Sequence, residues 1–194
     1  MTKRIKISKN KKFFTHVIAG KLKRMKIEYT PGEIRPMTSL VKKALFDIIN
    51  DCSNIENMLD LFCGSGSISI EAYSRGIKNA DLIETDKLKK DVIEKNLKKA
   101  GFDNANLIIA DALMYCKNCN KKYDFIMVDP PFKWEKKNEL LEVISERKLL
   151  KNNGFLVIHL PKKEDINEII ADLDCYDSRK YGINKLLFYK KHKK

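Results

Sequence analysis

From Asn57 onward the chain alternates short apolar runs with amphipathic segments, and this alternation constrains the fold more than any other feature of the sequence. The apolar runs are rich in Leu, Ile and Val, which is typical of strands in a parallel sheet covered on both faces. The segments between them place apolar residues at helical spacing and have the length of crossover helices. We therefore predict a doubly wound α/β fold with a Rossmann-like, mostly parallel sheet of about seven strands.

The individual elements follow from the same periodicity. Strands are predicted at residues 58–62, 80–83, 106–109, 125–128, 155–160 and 186–189. Helices are predicted at residues 38–49, 68–75, 88–100, 136–150 and 163–173.

The first 35 residues differ from the rest of the chain in charge. They carry eleven basic and two acidic residues, a net charge of +9 out of +13 for the whole chain. Residues 13–29 predict a small β-hairpin that turns at Ala19-Gly20, and Thr30-Pro31-Gly32 ends the pattern. Such a charge favours a polyanionic partner, although a solubilising, lysine-rich surface is the alternative. We divide the chain into a basic arm and hairpin, residues 1–35, and a main domain, residues 36–194.

Composition and cysteine spacing exclude several other classes. No apolar run approaches the roughly 18 residues that a membrane helix needs, and no secretory apolar segment follows the basic N-terminus, so we expect a cytoplasmic protein. The five cysteines lack a disulfide-like rhythm. Cys116 and Cys119 have CxxC spacing, but a second ligand pair is missing, with only His16, His159 and His192 remaining. We expect reduced cysteines and no metal.

A glycine-containing loop follows the first predicted strand of the main domain. The stretch Asp60-Leu61-Phe62-Cys63-Gly64-Ser65-Gly66 runs directly into a predicted helix. Gly64 and Gly66 let the backbone turn tightly and approach a bulky cofactor, which a Cβ would obstruct. A plain strand–helix turn is the alternative, and we expect Asp60, Phe62, Gly64 and Gly66 to line a cofactor site.

Acidic residues follow the next two strands. Glu84 lies twenty residues after Gly64, about the spacing at which a carboxylate meets ribose hydroxyls. Dinucleotide enzymes share this geometry, but their fingerprint has Gly or Ala where this chain has Ser69, which favours S-adenosyl-L-methionine, a cofactor without a pyrophosphate. Asp111-Ala112 follows the third strand, where a side chain can accept a hydrogen bond from an adenine amine. Capping of a turn is the alternative for Asp111.

The tetrapeptide Asp129-Pro130-Pro131-Phe132 follows the fourth strand directly, level with the glycine loop. An exocyclic amine on a base is a poor nucleophile because its lone pair is delocalised into the ring. Two acceptors, the Asp129 carboxylate and the Pro130 carbonyl, would hold its N–H bonds, and the prolines fix an extended backbone. Phe132 offers a stacking face worth about 1–3 kcal/mol. Trp134 is either a second stacking surface or a structural residue.

The chain resembles, over nearly its whole length, the bacterial 16S ribosomal RNA guanine-N2 methyltransferases of the guanine 966 type. The resemblance rests on residues 17–21, Arg35-Pro36, residues 44–46, 59–62, 64–66, 71–72, 74–76 and 129–132, and Tyr181-Gly182. Two residues depart from the family pattern: Cys63 stands where Ala is usual, and Met37 where Thr is usual.

This resemblance implies a class I methyltransferase fold and S-adenosyl-L-methionine as cofactor. It implies that Asp60, Gly64, Gly66, Glu84 and Asp111 line the cofactor site, and that residues 129–132 hold the target amine. The partner would be 16S ribosomal RNA or a small-subunit assembly particle. The N-terminal segment would then face the RNA, with contacts expected from Lys21, Lys23, Arg24, Arg35 and Trp134, and the protein would act as a monomer.

Three other functions remain open from the sequence. An Asp-Pro-Pro-aromatic loop also suits methyltransferases that act on adenine in DNA or on a protein glutamine. A non-catalytic RNA-binding assembly factor that keeps the fold is a second alternative. A nicotinamide oxidoreductase is a third, and cofactor binding would separate these cases.

Overall fold

The computed structural model describes residues 12–30, 37–49 and 52–191. An antiparallel hairpin, β1 (Phe13–His16) and β2 (Lys26–Tyr29), precedes helix α1 (Ser39–Ile49). The α/β domain then runs through β3 (Asn57–Leu61), α2 (Ser67–Ser74), β4 (Asn79–Glu84), α3 (Lys90–Ala100), β5 (Ala105–Ile109), α4 (Ala112–Asn118), β6 (Tyr123–Val128), α5 (Lys137–Glu146), β7 (Leu150–Pro161), β8 (Ile169–Ile170), β9 (Leu173–Tyr181) and β10 (Asn184–Lys191).

The main sheet has eight strands in the order β5-β4-β3-β6-β7-β10-β9-β8. The first five in this order are parallel, whereas β10 is antiparallel to both β7 and β9. Strands β4 and β5 follow β3 on one side of it, and the next strand in the chain, β6, lies on the other side of β3. This reversal leaves a crevice at the carboxyl ends of β3 and β6, the place where open α/β sheets bind ligands.

Helices cover both faces of the sheet, which confirms the doubly wound prediction. Along β6, Phe125 and Met127 belong to the core beneath α1, α2 and α3, and Ile126 and Val128 to the core beneath α4 and α5. Both faces of this central strand are therefore apolar, as the uninterrupted apolar run predicts. None of the helices in the described ranges is long and apolar enough to cross a membrane.

The predicted helix at residues 163–173 is wrong. Ile166, Ile169, Ile170 and Leu173 have helical spacing, but the chain is irregular there until Ile169–Ile170 pairs with β9. Lys185 of β10 donates a hydrogen bond to the main-chain carbonyl of Glu164, which stabilises the non-helical path. Tertiary contacts with the sheet edge thus override the local periodicity.

Two elements of the sheet region were not predicted. Helix α4 has only seven residues, too short for a periodic signal. Strand β9 is polar and largely exposed, because it lies near the sheet edge and one face meets solvent. The predicted helix at residues 136–150 is shorter in the structure and ends at Glu146, before the chain enters β7.

The hairpin is attached to α2 through a buried carboxylate. Glu71 accepts hydrogen bonds from the main-chain N–H groups of Ile18 (2.7 Å) and Ala19 (3.0 Å). Gly20 follows with φ of +79°, and a Cβ there would lie 1.9 Å from the carbonyl oxygen of Ser74. Only glycine permits this approach, so the predicted turn region is also the point of attachment.

Candidate active site

A cavity opens at the carboxyl ends of β3 and β6, where the strand order reverses. Asp60 lines it from strand β3, Gly64 from the loop between β3 and α2, and Asp129 from the loop after β6. Tyr29 and Thr30, at the end of the hairpin, complete part of its wall. The structure therefore brings the predicted glycine loop and the predicted Asp129 loop to one cavity.

The glycine loop is wound through left-handed backbone conformations. The φ angles are 66° at Phe62, 61° at Gly64 and 74° at Gly66. Glycine adopts such angles freely, whereas for Phe62 the conformation costs on the order of 1–3 kcal/mol. The Gly66 N–H donates to the Cys63 carbonyl at 2.8 Å, which closes the turn. Gly64 thus presents bare backbone on which a bulky ligand can lie. A Cβ at Gly66 would instead meet the core side chains of Leu82 and Ile93, and Gly66 does not line the cavity, so the cofactor contact expected of it stays a prediction.

Asp60 is buried beneath this loop, with 1% of its surface exposed. Its Oδ2 accepts a hydrogen bond from the Ser69 hydroxyl at 2.6 Å, while Oδ1 has no hydrogen-bond partner among the described residues. Burial raises the pKa of Asp60 to about 7; the Ser69 hydrogen bond opposes this shift and the Asp129 charge adds to it. An unsatisfied buried acceptor costs about 1–3 kcal/mol. The ammonium group of S-adenosyl-L-methionine is a donor that would satisfy it.

Ser69 therefore supports Asp60. The sequence had shown only that Ser69 stands where the dinucleotide fingerprint has Gly or Ala. Its hydroxyl fixes one oxygen of Asp60 and leaves the other for the cavity. The residues present fit S-adenosyl-L-methionine: Asp60 for a cationic group and the backbone of Gly64 for a close approach.

Glu84, at the end of β4, shapes the glycine loop. Its Oε2 accepts a hydrogen bond from the Gly64 N–H at 3.0 Å, and its Oε1 accepts one from the Asp86 N–H at 2.9 Å. Lys89 Nζ lies 3.3 Å from Oε2. Oε1 keeps a further lone pair, but Glu84 is buried and does not line the cavity, so the expected contact with ribose hydroxyls stays a prediction.

Asp111 caps helix α4 in this structure. Its Oδ1 accepts a hydrogen bond from the Met114 N–H at 2.9 Å. Asp111 is exposed, Ala112 is buried, and neither lines the cavity. The capping role weighed for Asp111 is thus confirmed, and the adenine contact expected of Asp111-Ala112 stays a prediction.

The two residues that depart from the family pattern, Met37 and Cys63, are both buried and both line the cavity. Burial raises the pKa of the Cys63 thiol well above its ordinary value, and the negative charges of Asp60 and Glu84 act in the same direction. Cys63 is therefore a neutral thiol at physiological pH.

The Asp129 loop is joined to the glycine strand by its backbone. The Asp129 N–H donates to the Leu61 carbonyl at 3.3 Å, and the Pro131 carbonyl accepts from the Trp134 N–H at 2.8 Å. The Pro130 carbonyl accepts no hydrogen bond from any residue in the described ranges. Asp129 and the Pro130 carbonyl are thus acceptors in one short loop, as the chemistry of an exocyclic amine requires.

Lys137 supports this loop and was not identified from the sequence. Its buried ammonium group donates to the Phe132 carbonyl at 2.9 Å and to the Trp134 carbonyl, and it forms an ion pair with Glu164 at 2.8 Å. The only sequence signal was a lysine at the start of an amphipathic helix, which usually indicates a solvated face.

His159 was weighed from the sequence only as a metal ligand, yet it contacts Asp129. Its Nδ1 lies 2.7 Å from Asp129 Oδ1, and its ring meets the Phe132 ring edge-on at 5.4 Å. His159 lies near the end of β7, on the same edge of the sheet as the glycine loop. A polar residue at the end of an apolar strand was the available signal.

The two aromatic residues of this region have different surroundings. Phe132 is 39% exposed and does not line the cavity, so its stacking on a base stays a prediction. Trp134 is half-buried and meets Phe62 of the glycine loop edge-on, with ring centroids 5.0 Å apart. This contact gives Trp134 a structural role between the two loops.

The basic residues of the hairpin turn lie at the far end of α2 from the cavity. The Lys21 N–H donates to the Ser74 carbonyl, and its ammonium group lies 3.4 Å from the centre of the Tyr73 ring. Because α2 begins at the glycine loop and its eight residues span about 12 Å, Lys21 and its neighbours Lys23 and Arg24 lie some distance from Asp60. Arg35 lies outside the described residues.

The CxxC pair forms part of the core. Cys116 and Cys119 are buried, and the Cys119 sulfur lies 3.7 Å from the Tyr123 hydroxyl. Burial raises the pKa of the Cys116 thiol, so this side chain is a neutral thiol. No group of three or more metal-ligating side chains occurs within the described ranges.

The strand order, the left-handed glycine loop and the unsatisfied Asp60 oxygen define a class I, S-adenosyl-L-methionine-dependent methyltransferase. The chain belongs to the family described as Conserved hypothetical protein 95, which matches residues 15–190. The resemblance drawn from the sequence motifs is thereby confirmed.

Named relatives agree with this class. Ribosomal RNA small subunit methyltransferase D of Buchnera aphidicola is 32% identical over 180 residues, which cover 87% of this chain and 93% of the relative. The solved structure of the Escherichia coli protein yhhF, provisionally named a methyltransferase, has a TM-score of 0.83 at 23% identity and covers 92% of this chain and 98% of its own. SMU.776, also provisionally named a methyltransferase and solved with SAH, has a TM-score of 0.65 at 16% identity. The match covers 84% of this chain and 53% of SMU.776.

Proposed function

We propose that this protein transfers the methyl group of S-adenosyl-L-methionine to the exocyclic N2 of a guanine in 16S ribosomal RNA. The observation that carries the proposal is the placement of Asp129 on the same cavity as Asp60 and the glycine loop. The relative named Ribosomal RNA small subunit methyltransferase D supports the choice of substrate.

The bound cofactor would supply an electrophilic methyl group. The residues of the chain position the target amine and accept its proton. The Asp129 carboxylate and the Pro130 carbonyl accept hydrogen bonds from the two N–H bonds of the target amine, which fixes its lone pair toward the cavity. Phe132 stacks on the base. As the new N–C bond forms, the nitrogen loses one proton, and Asp129 accepts it. Most of the rate gain then comes from positioning, worth up to about 7–11 kcal/mol in well-oriented cases.

The basic N-terminal segment supplies RNA contacts in this proposal. Residues 1–35 serve as the RNA-facing arm and hairpin, and residues 36–194 as the catalytic domain. Lys21, Lys23 and Arg24 on the hairpin turn, together with Arg35, contact phosphates, which hold the RNA without reading its sequence. Trp134 serves by supporting the glycine loop. The protein works as a cytoplasmic monomer on 16S ribosomal RNA or on a small-subunit assembly particle.

The test is methyl transfer from radiolabelled S-adenosyl-L-methionine to small ribosomal subunits from cells that lack the protein. We expect labelled N2-methylguanosine after digestion, and a loss of at least about 100-fold with Asp129→Ala, because proton transfer and amine positioning both fail. Asp47→Ala is the matched control, since Asp47 is an exposed carboxylate on α1 far from the cavity.

Other products would overturn the proposal in specific ways. Label in DNA or in protein would favour the adenine or glutamine alternative. A protein that binds no cofactor and labels no substrate would favour the non-catalytic assembly factor. Unchanged labelling by Asp129→Ala would remove Asp129 from the reaction.

A further inference from the structure

Both ring nitrogens of His159 face hydrogen-bond acceptors. Nδ1 lies 2.7 Å from Asp129 Oδ1, and Nε2 lies 3.0 Å from Asn184 Oδ1. A neutral imidazole has one N–H donor and one acceptor nitrogen, whereas the imidazolium has two N–H donors. An acceptor at each ring nitrogen therefore requires an N–H at both positions. Only the charged imidazolium has two N–H groups, and neither neutral tautomer does.

The orientation of the Asn184 amide determines whether its oxygen or its NH2 group lies against Nε2 of His159. Asn184 Nδ2 donates to the main-chain carbonyl of Tyr181 at 3.2 Å, in the turn between β9 and β10. A reversed amide would place its oxygen against that carbonyl oxygen and leave two acceptors face to face. The turn thus fixes the amide oxygen toward His159, and His159 must donate from Nε2 as well as from Nδ1.

We propose that His159 is a positioning residue, held as an imidazolium by Asp129 and Asn184, that fixes one oxygen of Asp129 and so leaves the other for the target amine. This inference rests on the proposed function, because it assigns that second oxygen to the methylated nitrogen. The imidazolium also pairs the Asp129 charge, so Asp129 enters the reaction as an oriented carboxylate.

The surroundings of the ring support the charged state. Burial favours the neutral form, but the hydrogen bond and charge of Asp129 and the hydrogen bond to Asn184 outweigh it, and the pKa of His159 is raised. Among the described residues Asp129 supplies the charge that acts on the ring, while Asn184 and Phe132 are neutral neighbours. Residues 31–36, which include Glu33 and Arg35, lie outside the described ranges.

Nuclear magnetic resonance of the full-length protein with 15N-labelled histidine tests the charge directly. The chain has three histidines, so the His159 signals are those that vanish in His159→Gln and persist in the control His16→Gln. We expect both His159 nitrogens to be protonated at pH 7, with a midpoint above the ordinary value of about 6.5. A neutral ring at pH 7 would overturn the inference whether or not the protein methylates RNA.

Variants at Asn184 then connect the charge to the reaction. Asn184→Asp adds a second negative partner and is expected to raise the midpoint, whereas Asn184→Leu removes an acceptor and is expected to lower it. The alkaline limb of the pH profile of methyl transfer should move with the midpoint, in the same direction and by a similar number of pH units. His159→Gln should lower kcat at least tenfold and leave cofactor affinity unchanged.

The outcomes separate this inference from the proposed function. A midpoint that moves while the pH profile stays fixed would remove the positioning role, although methyl transfer itself would stand. A charged His159 in a protein that labels no ribosomal RNA would refute the proposed function and its assignment of the second Asp129 oxygen. A merely structural histidine would change stability in these variants but not shift the alkaline limb.

Discussion

Two buried carboxylates at opposite ends of α2 differ in how their charge is satisfied. Asp60 lies beside the start of the helix and keeps one oxygen without a partner among the described residues. Glu71 lies in the last turns and is fully enclosed by donors. It accepts from Ile18 N–H, Ala19 N–H and Arg75 Nε, and Lys42 Nζ lies 3.5 Å away.

The difference between the two acids separates structure from function. A buried charge that is fully paired stabilises an attachment, here that of the hairpin to the α/β domain. A buried acid with a free oxygen lowers stability, and a protein retains it where a ligand supplies the missing donor. Asp60 has this character, and it lies on the cavity.

The largest expected effect is on stability, in Glu71→Ala. Removal of the carboxylate leaves the Lys42 ammonium buried and unpaired, and two main-chain N–H groups lose their acceptor. Burial already lowers the pKa of Lys42, against the opposing effect of Glu71. We expect a loss of about 3–5 kcal/mol in the free energy of unfolding, measured by urea denaturation.

Lys43, the neighbour of Lys42, provides the control. Its ion pair with Asp47 is exposed on both sides, so Asp47→Ala should cost at most about 1 kcal/mol. A loss in Glu71→Ala as small as that in the control would mean that Glu71 is not a structural anchor.

The next effect is on cofactor affinity, in Asp60→Asn. The amide is nearly the same size but cannot pair with an ammonium group, so we expect S-adenosyl-L-methionine to bind about 10- to 100-fold more weakly by calorimetry, or about 1.4–2.8 kcal/mol. Because the wild-type acid is poorly satisfied, Asp60→Asn should not destabilise the protein. A large loss of stability with unchanged affinity would reverse the roles assigned to the two acids.

The most gradual effect, small over any one pH unit, is the pH dependence of stability that Asp60 imposes. Its pKa is raised from 3.8 to about 7, so between these values the folded state binds more protons than the unfolded state. This contribution to stability is therefore complete below pH 3.8 and is lost as pH rises toward about 7, by at most about 1.4 kcal/mol per pH unit.

The contribution of Asp60 can be measured from the free energy of unfolding of wild type and of Asp60→Asn at several pH values between pH 5 and pH 8. The difference in stability between the two proteins should grow in favour of Asn as pH rises toward about 7 and then level off. A constant difference would show that Asp60 titrates at its ordinary pKa.

The sequence predicted those parts of the site that lie at or just after the carboxyl ends of strands. Asp60 lies near the end of β3, Glu84 ends β4, and Gly64 and Asp129 follow strands, so the order of elements alone brings them to one edge of the sheet. Their positions needed no knowledge of side-chain contacts.

The supporting residues could not be predicted in this way. The roles of His159 and Glu71 depend on partners 30 and 53 residues away in the chain, and such pairings follow only from the packed fold. Lys137 reaches two nearby carbonyls, but only because the packed fold buries its ammonium group. The wrong helix at residues 163–173 has the same origin, because pairing of β8 with β9 replaced a local helical pattern.

The protonated state of Cys63 has a consequence for chemical selectivity. This sulfur lines the cavity that would hold an activated methyl group, and sulfur is intrinsically a better nucleophile than the amine of a base. Since the thiolate is the reactive form, burial first, and the negative charges of Asp60 and Glu84 second, disfavour alkylation of Cys63 by raising its pKa. We therefore expect a thiol beside the methyl donor to stay unmethylated, because the buried, acidic surroundings keep its proton in place.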